Sequence, residues 1–273
     1  MVFKNLFNFY INSSIHVALA VVSMVLITLI NYNIPLDFNI CLFVFFGTIT
    51  GYNFVKYAGI AGLHHRSLTK NLRLIQIFSL FVFFALIYMA FKLPQNILFF
   101  TLIMGIFTSL YVLPFFGKGR NLRGLAGVKI LVIAFVWSGV TVVLPLINKA
   151  EIFQLDIIIE LFQRFLFVFA LTLPFEIRDL RFDMAKLNTV PQIFGVPKTK
   201  IIGILMILGV ILLEFLKGET ALENILSLIA AGVLLCILIT KSKIRQSKYY
   251  SSFWVEGVPI FWLLILFGMQ FMS

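Results

Sequence analysis

Phe175-Glu176-Ile177-Arg178-Asp179-Leu180-Arg181-Phe182-Asp183 gathers three of the chain's 11 acids into eight residues. At spacings of three and four, Glu176, Asp179 and Asp183 would share one face of a helix. Like charges so placed repel by roughly 0.2–0.5 kcal/mol per pair, so a cation is expected to offset them. Arg178 and Arg181 flank that face. A bound Mg2+ is the sharper solution, because this ion takes one or two carboxylates and completes its shell with waters and phosphate oxygens. The competing reading is a solvated loop helix whose Asp–Arg pairs are worth little. Spacing alone does not separate the two.

The cluster sits just past a long apolar segment, and such segments dominate the chain. Of its 273 residues 61% are hydrophobic and only 12% charged, with a mean hydropathy of +1.06. Soluble domains carry about 25% charged residues, so this composition describes a polytopic membrane protein. Apolar stretches near spanning length run at 14–31, 37–55, 74–92, 96–116, 128–147, 157–175, 200–216, 221–240 and 254–272. Turn formers such as Pro35, Pro94, Pro114, Gly117, Gly119, Pro197 and Gly218 stand in the breaks. The expected fold is all-α, a single transmembrane helical domain over 1–273 with about nine spans. Lys4 followed by an apolar run resembles a signal peptide, but the small Ala18 and Ala20 stand at the start of the run. It is therefore read as an uncleaved first span. Cys41 and Cys236 lie inside apolar runs and act as small hydrophobes.

The net charge of +11 is distributed as a membrane requires. Eighteen of the 22 Lys and Arg lie in the N-terminus and alternate loops; Lys92, Lys149 and Lys217 hold the other loops and Arg164 lies within a span. This alternation supports nine spans, with the N-terminus cytoplasmic, the C-terminus outside and the acidic cluster on the cytoplasmic side. A membrane such as a bacterial inner membrane is expected, and nucleic acid is not. Lys241, Lys243, Arg245 and Lys248 suit anionic lipid. Glu160 and Arg164, four apart in one span, are expected to pair. His64-His65 and His16 read as interface or packing residues before ligands. Glu256 enters the last span at its cytoplasmic end, where it can face a cavity.

Two segments carry a family resemblance. Arg178-Asp179-x-x-x-Asp183 through Leu187-Asn188-Thr189-Val190-Pro191-x-x-Phe194-Gly195 resembles the second aspartate-rich motif of UbiA-superfamily intramembrane prenyltransferases. Leu110-Tyr111-Val112-Leu113-Pro114 through Leu122-Arg123-Gly124-Leu125-Ala126-Gly127-Val128-Lys129, and on to Trp137, is also similar to that family. The resemblance implies a nine-helix funnel in which Mg2+ and a prenyl diphosphate bind, and a prenyl group passes to a lipid-soluble, for instance aromatic, acceptor. It assigns Asp179 and Asp183 to catalysis and the metal. Asn53, Lys56, Tyr111, Arg123, Lys129 and Arg178 become diphosphate contacts.

The sequence departs from the family where the first aspartate-rich motif belongs. Asn53 fits the leading position, but Tyr57 and Ala61 stand where carboxylates are expected, and Lys56 adds a positive charge. Either one metal with Lys56 standing in for the other, or a family-like scaffold that binds an isoprenoid or quinone without catalysis, accounts for this. A transporter is disfavoured by the absence of an evident inverted repeat and the few mid-span ionisable groups.

Overall fold

A computed structural model describes residues 2–61, 70–112, 127–149, 153–181, 188–218 and 220–271. Among them every regular element is helical: α1 (Val2–Asn12), α2 (Ile15–Asn31), α3 (Phe38–Ala61), α4 (Lys70–Ala90), α5 (Gln95–Val112), α6 (Val128–Ser138), α7 (Leu144–Leu146), α8 (Leu155–Asp179), α9 (Val190–Glu214), α10 (Leu222–Lys241) and α11 (Val258–Gln270). The described parts of all nine apolar stretches fall on these helical runs. Among the described residues seven helical runs are long and apolar enough to cross a membrane. The α1–α2 pair qualifies only as a span bent by 56°, and α5 contributes a shorter apolar helix over Gln95–Leu110.

The spans are less regular than hydropathy suggests. α1 and α2 meet at Ser14, held in the left-handed region at φ 66°. α6 runs into a π-helical segment, Gly139–Val143, before α7. Pro145 in α7 has no N–H for the Thr141 carbonyl one turn back, which widens the ladder there. A second π-helical segment, Tyr250–Val255, leads into α11.

Two helices also outrun their apolar stretches at the end expected to be cytoplasmic. α8 continues through Asp179, so Glu176 and Asp179 lie in a helix and not in a loop. α9 begins at Val190 because Thr189 and Gln192 form a capping box, with the Thr189 N–H donating to Gln192 Oε1 at 3.0 Å. Gly195, at φ 77° and ψ 160°, then interrupts that helix just before Pro197.

α8 is the central helix, packed by α6, α9 and α10. Phe167, Leu173 and Ile177 on it are fully buried. α9 approaches closely at Gly203, where an added Cβ would meet Leu173 Cδ1 at 2.9 Å. Small residues permit such approach between membrane helices, where dispersion replaces the hydrophobic effect as the driving force. Phe81, Phe84, Phe99, Leu205 and Leu212 point outward as large exposed hydrophobics, the surface a lipid environment covers.

A balanced set of four charges locks the other end of α8. Arg164 pairs with Glu160 at 2.6 Å, as the i, i+4 spacing predicts. Lys217, from the α9–α10 turn, bonds both Glu160 and Glu214, the latter at 2.8 Å. Gln163 donates to Glu214 and to the Val210 carbonyl, both at 2.8 Å, while Arg164 donates to the Met24 carbonyl and Thr28 Oγ1, both at 3.2 Å. The guanidinium also lies 5.2 Å from the Trp262 ring centroid. The network thereby joins α2, α8, α9 and α11. The adjoining cavity, of about 10 Å3, has room for one water and not for a substrate.

Burial works against the Lys217 ammonium, but Glu160 and Glu214 more than offset it and raise its pKa above the usual lysine value. A raised folded-state pKa contributes stability that is complete below the unfolded value and is lost as pH rises through the folded one. Wild type in detergent is therefore expected to lose stability above about pH 10.4 by more than Lys217→Met does. Equal losses in the two proteins, followed by thermal unfolding, would contradict this.

Candidate active site

The end of α8 places Glu176 and Asp179 one turn apart. Acids there face the negative end of the helix dipole and need a cation. α6 supplies it. Gly127, at φ 69°, starts α6, and Lys129 in its first turn reaches across to α8. Its Nζ lies 2.7 Å from Glu176 Oε1 and 3.5 Å from Asp179 Oδ2. Glu176 is buried, with its side chain 3% exposed, whereas Asp179 is 22% exposed and accessible to a ligand. Arg178 Nε donates to Asp179 Oδ1 at 2.8 Å, and its guanidinium lies 5.2 Å from the Phe175 ring centroid.

α3 brings the second group of residues. Lys56 Nζ donates to Ser14 Oγ at 2.9 Å, and Ser14 Oγ donates to Asn53 Oδ1 at 2.8 Å. Asn53 is buried, and its Nδ2 donates to the Ser13 carbonyl at 3.1 Å and to Ser79 Oγ at 2.8 Å. Its amide thus holds the α1–α2 break against α3 and α4, beneath Lys56. Tyr57, in the position where a carboxylate was expected, donates its hydroxyl to the Asn12 carbonyl at 3.1 Å. Trp137 Nε1 donates to Tyr52 Oη at 2.8 Å and so ties α6 to α3. The last span reaches α8 through Ser251, whose Oγ donates to the Pro174 carbonyl at 3.3 Å, and Glu256 follows that Tyr250–Val255 segment.

Of the residues expected at the site, Lys129 and Arg178 both pair with Asp179, whereas Lys56 and Asn53 belong to the separate group around Ser14. Asp183 and Arg123 lie outside the described residues, as do His64 and His65. Tyr111 falls in the last turn of α5, and its side chain likewise lies outside the described residues. The sequence reading missed how Glu176 is used. It is the buried anchor for Lys129, and its position one turn before Asp179 was the available signal. It also missed Ser14, whose left-handed backbone no sequence pattern announces.

Among the described residues no three His, Cys, Asp or Glu are grouped to hold a metal ion. A hard divalent ion that keeps most of its waters needs fewer ligands from the protein. The partly exposed carboxylate of Asp179 fits that requirement. Glu176 is turned instead to Lys129.

No family model matches the chain, and no curated protein matches it. One solved structure, of a digeranylgeranylglyceryl phosphate synthase in membranes, is similar over 96% of this chain and 97% of its own. The TM-score is 0.58 and the sequence identity 14%. The similarity runs through the whole helical bundle and establishes a shared fold.

Proposed function

We infer that this chain is an intramembrane prenyltransferase, moving a prenyl group from a prenyl diphosphate to a lipid-soluble acceptor. One observation carries the reading: Lys129, Arg178 and the accessible Asp179 converge at the end of α8, in a fold shared with a synthase whose product is named for its geranylgeranyl groups. Acid and base meeting at one end of an apolar bundle suit a metal-bound diphosphate, since cations bind phosphate oxygens by charge-assisted hydrogen bonds.

In this mechanism Lys56, Lys129 and Arg178 grip the diphosphate, joined from the sequence by Arg123 and Tyr111. Asn53 and Ser14 aim Lys56. Asp179 and Asp183 would hold Mg2+, which would supply positive charge to the diphosphate oxygens. The allylic C–O bond breaks with both electrons going to the leaving oxygen. The acceptor supplies the new electron pair and loses a proton. The surrounding apolar helices keep water from the allylic cation. The site faces the cytoplasm, with the N-terminus on that side.

A second reading, an isoprenoid- or quinone-binding scaffold without catalysis, draws on Tyr57 being committed to Asn12 where the family carries a carboxylate. Membranes containing the protein, given a labelled prenyl diphosphate, Mg2+ and a lipid extract, separate the two. Label entering the lipid phase, with chelator abolishing the transfer, is expected. No transfer, together with a neutral isoprenoid co-purifying in native mass spectrometry, favours the scaffold.

A further inference from the structure

The residues of α1 divide around its axis. At about 100° per residue, Lys4, Asn5, Asn8 and Asn12 share one arc of about 100°, and Phe3, Leu6, Phe7, Phe9, Tyr10 and Ile11 occupy the remainder. The C-terminal half of the apolar face rests on the bundle. Phe7 meets Tyr249 and Phe253 edge-on, at 5.0 and 5.2 Å between ring centroids, and Phe9 meets Phe78 of α4 at 5.4 Å. The Tyr10 hydroxyl bonds His16 Nδ1 of α2 at 2.7 Å. Asn8 Oδ1 accepts from Lys248 Nζ at 2.6 Å and from the Tyr249 hydroxyl at 2.7 Å. α1 thus bridges α4 and the segment that leads into α11.

The same apolar face then overhangs the bundle. In projection Phe3 lies between Tyr10 and Phe7, and Leu6 between Phe9 and Tyr10. Phe3 is nevertheless 84% exposed and Leu6 62%. Nor does α1 lengthen the first span. It leaves the α2 axis by 56°, so its 11 residues would add only about 9 Å along that axis. α2 alone, with 17 residues, is about 25 Å long, close to the hydrocarbon thickness of about 30 Å. A crossing path through α1 would also carry Lys4 and three asparagines into hydrocarbon, where unpaired polar groups are costly.

We propose that α1 is an interfacial helix lying in the bilayer surface: Phe3 and Leu6 insert at the boundary of headgroups and acyl chains, while Lys4 and Asn5 stay in water. Lipid is the occupant that fits, because the exposed pair continues the very face that packs on the spans, with the polar arc opposite. Lys4 is the one charged side chain of α1, so insertion draws on apolar contact and needs no anionic lipid. The helix ends at the Ser13–Ser14 break that accepts from Asn53 and Lys56. Seating α1 in the surface therefore steadies that break from the membrane side.

The probe is a nitroxide on the full-length protein in vesicles of phosphatidylcholine alone. It is attached through Phe3→Cys, Leu6→Cys or Asn5→Cys, with the free Cys41 and Cys236 replaced by Ala. Labels at positions 3 and 6 are expected to meet oxygen, which concentrates in lipid, several-fold more often than a water-soluble nickel chelate. The label at position 5 should show the reverse. Equal nickel access at all three positions means a helix in water. Oxygen access without nickel access at all three means a spanning segment. Positions 3 and 6 shielded from both reagents mean a protein partner. Each of these three results overturns the proposal. Should the cysteine-free background fail to fold, Phe3→Trp and Asn5→Trp decide, in lipid brominated near the headgroup. Stronger quenching of the added fluorescence for Phe3→Trp is expected, and equal quenching overturns the proposal.

Discussion

Asp179→Asn is expected to lower the rate of prenyl transfer by about 10^2–10^3-fold at saturating prenyl diphosphate, the loss that follows when several kcal/mol of charge stabilisation is removed. Asn matches Asp in shape but carries no charge to hold a divalent cation. The position is partly exposed at the end of α8, so the substitution leaves the core untouched, and the unfolding temperature should barely move. Asp183→Asn is expected to act in the same direction. The readout is release of labelled lipid product from membranes at fixed protein. Turnover equal to wild type for Asp179→Asn would remove that residue from the site, even if the fold assignment stood.

The second large effect is on stability, at the other end of the same helix. Glu160→Leu leaves Arg164 and Lys217 buried with only Glu214 to balance them. Breaking a buried pair by removing one partner costs about 3–5 kcal/mol, because the remaining charge is desolvated without compensation. Chemical unfolding in mixed micelles should register a loss of that order. Replacing Glu160, Arg164, Glu214 and Lys217 together with apolar residues of similar volume should recover most of it, since the desolvation cost vanishes along with the attraction. If Glu160→Leu unfolds like wild type, the network is not the lock that its geometry suggests.

These two ends of α8 also mark how far the sequence could be read. The nine apolar stretches were legible because a bilayer forces a one-dimensional signal of about 20 residues on any span. That signal stops where the apolar residues stop, whereas the helices do not. α8 runs on through Glu176 and Asp179, and α9 starts at Val190 on a capping box. The Glu160–Arg164 pair was legible from local spacing. Lys217, 57 residues from Glu160, was not, because only tertiary packing brings it there. The same limit applies to Asn53: its partners Ser13 and Ser14 come from a break between helices that depends on the left-handed Ser14. The family resemblance made Lys129 a diphosphate contact; its pairing with Glu176 and Asp179, as a first-turn lysine on α6 spanning two carboxylates on α8, is a tertiary contact that only the structure shows.

The most direct measurement of the central claim is equilibrium binding of a prenyl diphosphate to the purified protein, with and without Mg2+, for wild type and for Asp179→Asn/Asp183→Asn. Saturable binding by wild type that depends on Mg2+, lost in the double variant while its unfolding temperature holds, is the predicted result. Binding that is indifferent to both the metal and the two aspartates would contradict it.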